Sequence, residues 1–326
     1  MMSVLVTGAT SPMGEELIRS LLADTRVAHI LAVGEKPAER ALPFAHGKRL
    51  TYQQVDLTRS RRVRTLLFGP ARDLNVEVVV HMAHHRSASG GRKVHALNVE
   101  ALRSILALSN RHPTIRRVVV KSFAEVYRVS LDLPILVTED HPLNLEGNTP
   151  QYIRDRVEAD LTACARMGLS SAEIVVLRCA EALGPGTGSQ LYDFLQGQLA
   201  FRPFGFDPMI NVATVADIVR AIEKATHGSG EGVFNVPGYD SLPLSVAIRK
   251  WGVTGIPVPG TLIRPLYNFR RRLLGSQFSY GINRKRMHLG LVLDGSRARE
   301  VLEYTPQNPV HWPNGGAVNA NFAPTL

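Results

Sequence analysis

The chain has 326 residues, 44% apolar and 20% charged, with 38 Lys and Arg against 28 Asp and Glu for a formal net charge of +10. Such proportions are ordinary for a globular protein with a sizeable core, either one large α/β domain or two lobes sharing a sheet. The lack of any apolar run of about eighteen residues excludes a membrane-crossing helix, and two cysteines, Cys164 and Cys179, exclude a disulfide framework or a cysteine metal site. With no basic-then-apolar leader at the start, the cytoplasm is the expected compartment. The positive balance favours anionic partners without choosing among dinucleotides, nucleotide-linked substrates, nucleic acid and acidic lipid.

In chain order, Ser3 to Thr7 is a short aliphatic strand that runs into a glycine turn ending at Gly14, and helical spacing follows at once. Strand, glycine turn and helix in that order open a dinucleotide-binding βαβ unit. Gly8 serves the tight turn and Gly14 the close approach of helix to sheet. Ser11, Pro12 and Met13 then stand at a helix N-terminus whose free N–H groups face a pyrophosphate. Ser11 takes the place of the middle glycine. Its Cβ crowds the phosphate approach, while its hydroxyl offers a hydrogen bond. The same residues also suit a helix that needs no ligand, with Ser11 as N-cap, Pro12 at N1, and Glu15 and Glu16 complementing the dipole.

Val27 to Val33 is a second buried strand. Gly34 stands at its end, where NAD-binding proteins carry an acid, with Glu35 and Lys36 beyond, so the choice between NAD and NADP stays open. Leu50 to Leu57 is a third strand carrying Asp56, and the arginines from Arg59 to Arg64 form a solvated helix face. Val76 to Met82 is a continuous apolar strand of the parallel-sheet kind. It leads into His81, His84 and His85, expected as one packed and two loop-exposed histidines, since no carboxylate or cysteine accompanies them at metal-site spacing. A helix over 94–110, a strand over 118–121, a helix over 151–166 and a strand over 174–177 continue the alternation, which predicts a doubly wound parallel sheet. The glycines from Gly184 to Gly188 mark a break. After it come a helix over 215–226 and a short strand over 233–236.

Together, and in order, these segments resemble the extended short-chain dehydrogenase/reductases, the NAD-dependent epimerase/dehydratase family. The similar segments are Val4 to Thr10; Val55-Asp56-Leu57, like the adenine-contacting strand end; and Val79 to Ala83, the fourth strand. Then follow Asn98 to Ala101, the Asn-bearing helix; Val126-Tyr127; Thr138 to Pro142; Leu177-Arg178 with Leu183 to Gly186; Asn235-Val236; and Leu293 to Ala298. The resemblance covers nearly the whole chain. It implies NAD or NADP as cofactor, held by Gly8, Ser11, Pro12, Met13, Gly14, Asp56, Leu57, Ala83 and Asn98 together with the catalytic pair.

In that family a Tyr-x-x-x-Lys pair does the chemistry, the lysine also holding the nicotinamide ribose, and a serine after the fifth strand hydrogen-bonds the reacting oxygen. The resemblance sets Tyr152 at the tyrosine and Arg156 at the lysine, one helical turn on and on the same face. Phe123 stands at the serine position, with Ser122 one residue earlier. A guanidinium still stabilises a phenolate by charge, but its planar fork does not copy the compact ammonium, and its pKa of about 12.5–13.8 removes it from proton relay. Phe123 donates no hydrogen bond, and one lost donor costs around 10²–10³ in rate. Lys121 and Glu125 are the neighbours able to fill the gap. Alternatively, Tyr152 is an ordinary helix residue and Arg156 is salt-bridged to Asp155, Asp160 or another neighbour.

The expected architecture is a dinucleotide-binding Rossmann domain over residues 1–178, rejoined by 211–236, with a smaller lobe over 179–326 covering the crevice. Three functions follow: weak or altered redox chemistry on a carbonyl, alcohol or nucleotide-sugar substrate; a lapsed enzyme that senses a dinucleotide or serves as a protein scaffold; and, ranked last, a basic binder of membrane or nucleic acid. For the last, Ile263 to Leu274 mixes apolar and basic residues as a membrane-surface helix does, although Pro265 is expected to limit its length. A homodimer is left open.

Overall fold

A computed structural model describes residues 1–42, 47–86 and 90–314; the end of the expected smaller lobe, 315–326, lies outside the described residues. Seven strands form the central sheet: β1 (Met2–Thr7), β2 (Val27–Gly34), β3 (Leu50–Gln54), β4 (Val76–His81), β5 (Arg117–Phe123), β6 (Glu173–Cys179) and β7 (Gly232–Val236). Their order is β7-β6-β5-β4-β1-β2-β3, every neighbouring pair parallel. The chain therefore reverses its winding between β1 and β4, the place where open α/β sheets form a ligand crevice.

Alternation along the strands builds two cores. Val4 and Val6 of β1 face a layer with Leu17, Ile18 and Ile222, whereas Leu5 between them faces Val63, Leu102 and Ile105. The first layer is covered by α1 (Pro12–Ala23) and the helix Val215–His227. The second is covered by Ser60–Leu66, Ala101–Ser109 and part of Gln151–Cys164. The predicted doubly wound Rossmann sheet is thus present. β3 is shorter than expected, ending at Gln54, because the Asp56 carboxylate accepts the Thr58 N–H at 3.0 Å and turns the chain locally.

Beyond β6, Glu181–Ala182, Met209–Ala213 and Asp240–Pro243 form a small sheet, and Leu199–Pro203 pairs with Thr254–Val258. These pack with the helices Gln190–Leu195, Leu244–Trp251, Gly260–Leu274 and Tyr280–Leu289 around Phe194, Tyr267 and Phe278. The helix at Pro265 is longer than expected, running 15 residues straight through it. Proline lacks the N–H that would bond the Thr261 carbonyl, but Thr261 and Pro265 both lie on the exposed side of the helix, open to solvent.

Several family-like segments turn out to be tied together in the interior. The Tyr127 hydroxyl donates to Asn235 Oδ1 at 2.6 Å, Asn235 donates to Val137 O at 2.8 Å, and Arg178 reaches Tyr127, the Glu139 carbonyl and Asp160. This network clamps β6, β7 and the turn after β5 to the segment before the helix Gln151–Cys164.

Candidate active site

The carboxyl ends of β1 to β4 enclose a cleft of about 390 Å³ lined by Gly8, Ser11, Gly34, Leu57, Ala83 and His84, among others. Gly8 holds φ +73°, and a Cβ there would lie 3.0 Å from the Ala83 nitrogen. A Cβ on Gly14 would lie 2.3 Å from the Gly8 carbonyl, so both positions require glycine. Ser11 caps α1: its hydroxyl accepts the Gly14 N–H at 2.9 Å and donates to Gly8 O at 2.8 Å. That hydroxyl proton is therefore engaged within the turn. Pro12 begins α1 on the rim beside Gly186, and Met13 points into the core.

Gly34, the last residue of β2, has no side chain, and the acid that follows it, Glu35, lines the cleft. A Cβ on Gly34 would meet Thr10 Cγ2 at 2.8 Å and Tyr52 Oη at 2.9 Å, and Tyr52 donates to the Lys36 carbonyl at 2.6 Å. Asp56 lies beyond β3 on a neighbouring hollow, paired with Arg59 at 3.2 Å. Asn98 sits in a π-helical turn, Ala96–Glu100, where its Oδ1 accepts the His85 N–H at 2.8 Å. The glycine loop closes the rim: Arg86 donates to Gly186 O at 3.2 Å.

Tyr152 and Arg156 do come together on the helix Gln151–Cys164. The Arg156 guanidinium carbon lies 4.0 Å from the Tyr152 ring centre and 3.6 Å from that of Phe123. Its charge is taken by Glu125, at 2.7 Å, rather than by Asp155 or Asp160. Asp155 pairs with His95 and Asp160 with Arg178. Glu125 in turn meets Arg286 at 3.6 Å, and Arg286 meets Glu181 at 3.2 Å. Four alternating charges thus run from the Rossmann core into the smaller lobe. Burial works against the Glu125 carboxylate, but the two guanidiniums outweigh it and hold its pKa below the ordinary value. Burial drives the Tyr152 phenol well above its usual pKa, and its hydroxyl is buried with no hydrogen-bond partner among the described residues.

Phe123, at the serine position, is a platform. Lys121 Nζ lies 3.4 Å from its ring centre, Arg156 covers it, and His84 meets it edge-to-face at 4.8 Å. Burial lowers the Lys121 pKa to about 8. Ser122 turns away and donates to Asp160. The expectation of loop-exposed His84 and His85 is corrected, since both are half-buried. His84 Nδ1 lies 2.8 Å from the Met82 carbonyl, which only accepts, so Nδ1 carries the proton and Nε2 is a bare acceptor. That Nε2 is buried and has no partner among the described residues. Burial, reinforced by Lys121 and Arg156, holds the ring neutral.

His84 is the site residue that sequence reasoning missed. The available signal was its place directly after Ala83. Arg286 follows Arg284 and Lys285, and nothing in that basic run marks it as a site residue. Among the described residues no three His, Cys, Asp or Glu side chains gather as a metal site.

The chain is 29% identical over 314 residues to an uncharacterized protein of Mycobacterium tuberculosis, covering 93% of this chain and 80% of that one. In fold it is similar to a dTDP-glucose 4,6-dehydratase, DesIV, from Streptomyces venezuelae solved with NAD, at TM-score 0.71, 22% identity and coverage of 94% and 93% of the two chains. It is likewise similar to a UDP-glucuronic acid 4-epimerase from Bacillus cereus solved with UDP-glucuronic acid and NAD, at TM-score 0.69, 17% identity and coverage of 94% and 95%. The model of the NAD dependent epimerase/dehydratase family matches residues 4–198, the stretch that carries the glycine turn, Asn98 and the Tyr152–Arg156 pair. The chain belongs to that family.

Proposed function

We propose that the chain binds NAD or NADP by the ADP half in the cleft above Gly8, and that its redox chemistry on a carbonyl or alcohol substrate, nucleotide sugars included, is weak or altered. The observation that carries this is an asymmetry. The cleft is open over Gly8, Ser11 and Gly34, but at Arg156, where the family's nicotinamide ribose belongs, Phe123, His84 and Lys121 are packed together.

For the pyrophosphate and adenosine the residues fit. Gly8 and Gly14 hold the turn in a shape that admits no Cβ at either position, the α1 N-terminus faces the cleft, and Leu57 and Val33 offer apolar walls. For the nicotinamide riboside they do not. Arg156 is committed to Glu125, Phe123 has no donor, and Tyr152 Oη is shut away. Tyr152 keeps the acid–base group of the pair, but burial holds it protonated. The bound relatives support a dinucleotide and a nucleotide-linked small molecule as ligands. The Gly34 end supports neither NAD nor NADP over the other.

Isothermal calorimetry with ADP-ribose, NAD, NADP and nicotinamide mononucleotide tests this. ADP-ribose should bind at least as tightly as NAD, and nicotinamide mononucleotide should not bind. Saturation at about 100 times the dissociation constant should stabilise the fold by roughly 2.7 kcal/mol. His84→Ala should tighten NAD and leave ADP-ribose unchanged. Flat titrations with all four ligands, or NAD binding far tighter than ADP-ribose, would overturn the proposal.

A further inference from the structure

From Ser241 to Leu293 the chain carries nine Lys and Arg and not one Asp or Glu, which accounts for nearly all of the net charge of +10. The centre of this stretch is the helix Gly260–Leu274, which rests on the smaller lobe through Ile263 and Tyr267, the latter hydrogen-bonded to both Phe201 N and O. The rest of the helix is largely uncovered. Leu262, Phe269 and Leu273, spaced seven and four residues apart, share one stripe and are 51%, 64% and 64% exposed. Phe204, 71% exposed, is brought beside the start of the helix by its N–H bond to the Val258 carbonyl. Arg264, Arg271 and Arg272 are exposed, and none has an ion-pair partner among the described residues.

A helix with an exposed aliphatic and aromatic stripe, unpaired arginines and no acid in the nineteen residues on either side is poorly suited to water alone. We propose that this helix docks the chain on an anionic lipid surface, with Leu262, Phe269 and Leu273 entering the headgroup boundary and Arg264, Arg271 and Arg272 meeting lipid phosphates. The apolar stripe favours lipid over nucleic acid, which would use the charge but gain nothing from exposed leucines. The docking does not depend on what the cleft binds.

Sedimentation of the full chain with vesicles tests it, using phosphatidylcholine alone and phosphatidylcholine with an equal part of phosphatidylglycerol. Binding is expected to the anionic vesicles only, and to weaken with added salt. Replacing Arg264, Arg271 and Arg272 by Gln should weaken it on the order of a hundredfold. Replacing Leu262, Phe269 and Leu273 by Ser should weaken it by about tenfold or more. All six residues are exposed, so circular dichroism and melting should be unchanged. Three results would overturn the proposal: no binding to anionic vesicles; binding that the serine variant retains in full, which marks a plain polyanion surface; or a wild-type dimer in ultracentrifugation that the serine variant converts to monomer, which marks the stripe as a subunit interface.

Discussion

Arg156 lies over the face of Phe123, its guanidinium carbon 3.6 Å from the ring centre. The two residues stand where the family resemblance expects a lysine and a serine, so two departures in sequence are one contact in space. A planar guanidinium stacks on an aromatic face as an ammonium does not, and the ring supplies the electron-rich surface that a serine lacks.

The first prediction follows from that pairing. In a double-mutant cycle, Phe123→Ser and Arg156→Lys should be coupled in stability by about 0.5–2 kcal/mol. Neither change alone should raise nicotinamide-dependent turnover. The two combined with His84→Ala, which vacates the space beside Ala83, should raise it by around 10² or more on a substrate panel that includes nucleotide sugars. Adding Tyr152→Phe should abolish the gain. A folded triple variant that binds NAD and gains nothing would mean the site serves something other than hydride transfer.

Glu125 separates two guanidiniums, at 2.7 Å from Arg156 and 3.6 Å from Arg286. Glu125→Gln leaves those cations buried with one carboxylate of the four-charge ladder, Glu181, which lies on the far side of Arg286. Urea denaturation should show a loss of about 3–5 kcal/mol. Adding Arg286→Met removes one of the stranded charges and should recover part of it. An unchanged midpoint for Glu125→Gln would show that the charge ladder contributes nothing.

The third prediction concerns the end of β2. Gly34→Asp supplies the acid that NAD-binding proteins of this fold commonly carry at the second strand's end, yet its Cβ would run into Thr10 and Tyr52. It should cost about 1–3 kcal/mol by overpacking and should not improve NAD binding. In a double-mutant cycle Tyr52→Ala should offset part of that cost and no more, since the Thr10 contact at 2.8 Å remains. Improved NAD affinity in the single variant would refute the steric account.

The sheet and both helical layers were legible in the chain because apolar runs, glycine turns and helical spacing are local signals. The glycine cradle was legible for the same reason: Gly8 and Gly14 are required by atoms within the turn or just across it. What governs the site was not. Glu125, Arg286 and Glu181 come from three distant segments, and only the packing of the smaller lobe on the sheet aligns their charges. His84 was expected to be exposed in its loop because nothing in its neighbourhood of sequence announces that Phe123 and Arg156 will pack beside it. The Gly34 vacancy looked like a missing ligand contact, and the tyrosine that fills it is on another strand. Pro265 was expected to limit its helix because the exposure of Thr261 and Pro265 on the folded surface is a tertiary fact.

The last prediction is a pH dependence seated at the cleft floor. His81, at the end of β4, is buried, and burial pushes its pKa down from 6.5 to about 4. Its Nδ1 lies 2.9 Å from Thr7 Oγ1, and that oxygen already accepts the Met82 and Ala83 N–H groups at 3.2 and 3.3 Å. The Thr7 proton therefore points to His81, which must be neutral at Nδ1 to receive it. In the unfolded chain the imidazole takes its proton near 6.5, and in the folded chain only near 4, so between those values the unfolded state binds more protons. Stability is fully present above pH 6.5 and is lost as pH falls toward 4, at a limiting slope of about 1.4 kcal/mol per unit. His84, also held neutral by burial, adds a loss of the same sign. His81→Asn keeps an acceptor near the Nδ1 position and does not titrate, so its urea midpoints should fall less steeply over that window, and ADP-ribose affinity should hold to lower pH than in the wild type. Equal slopes for the two proteins would remove His81 as the cause and leave His84 and the carboxylates to account for the acid limb.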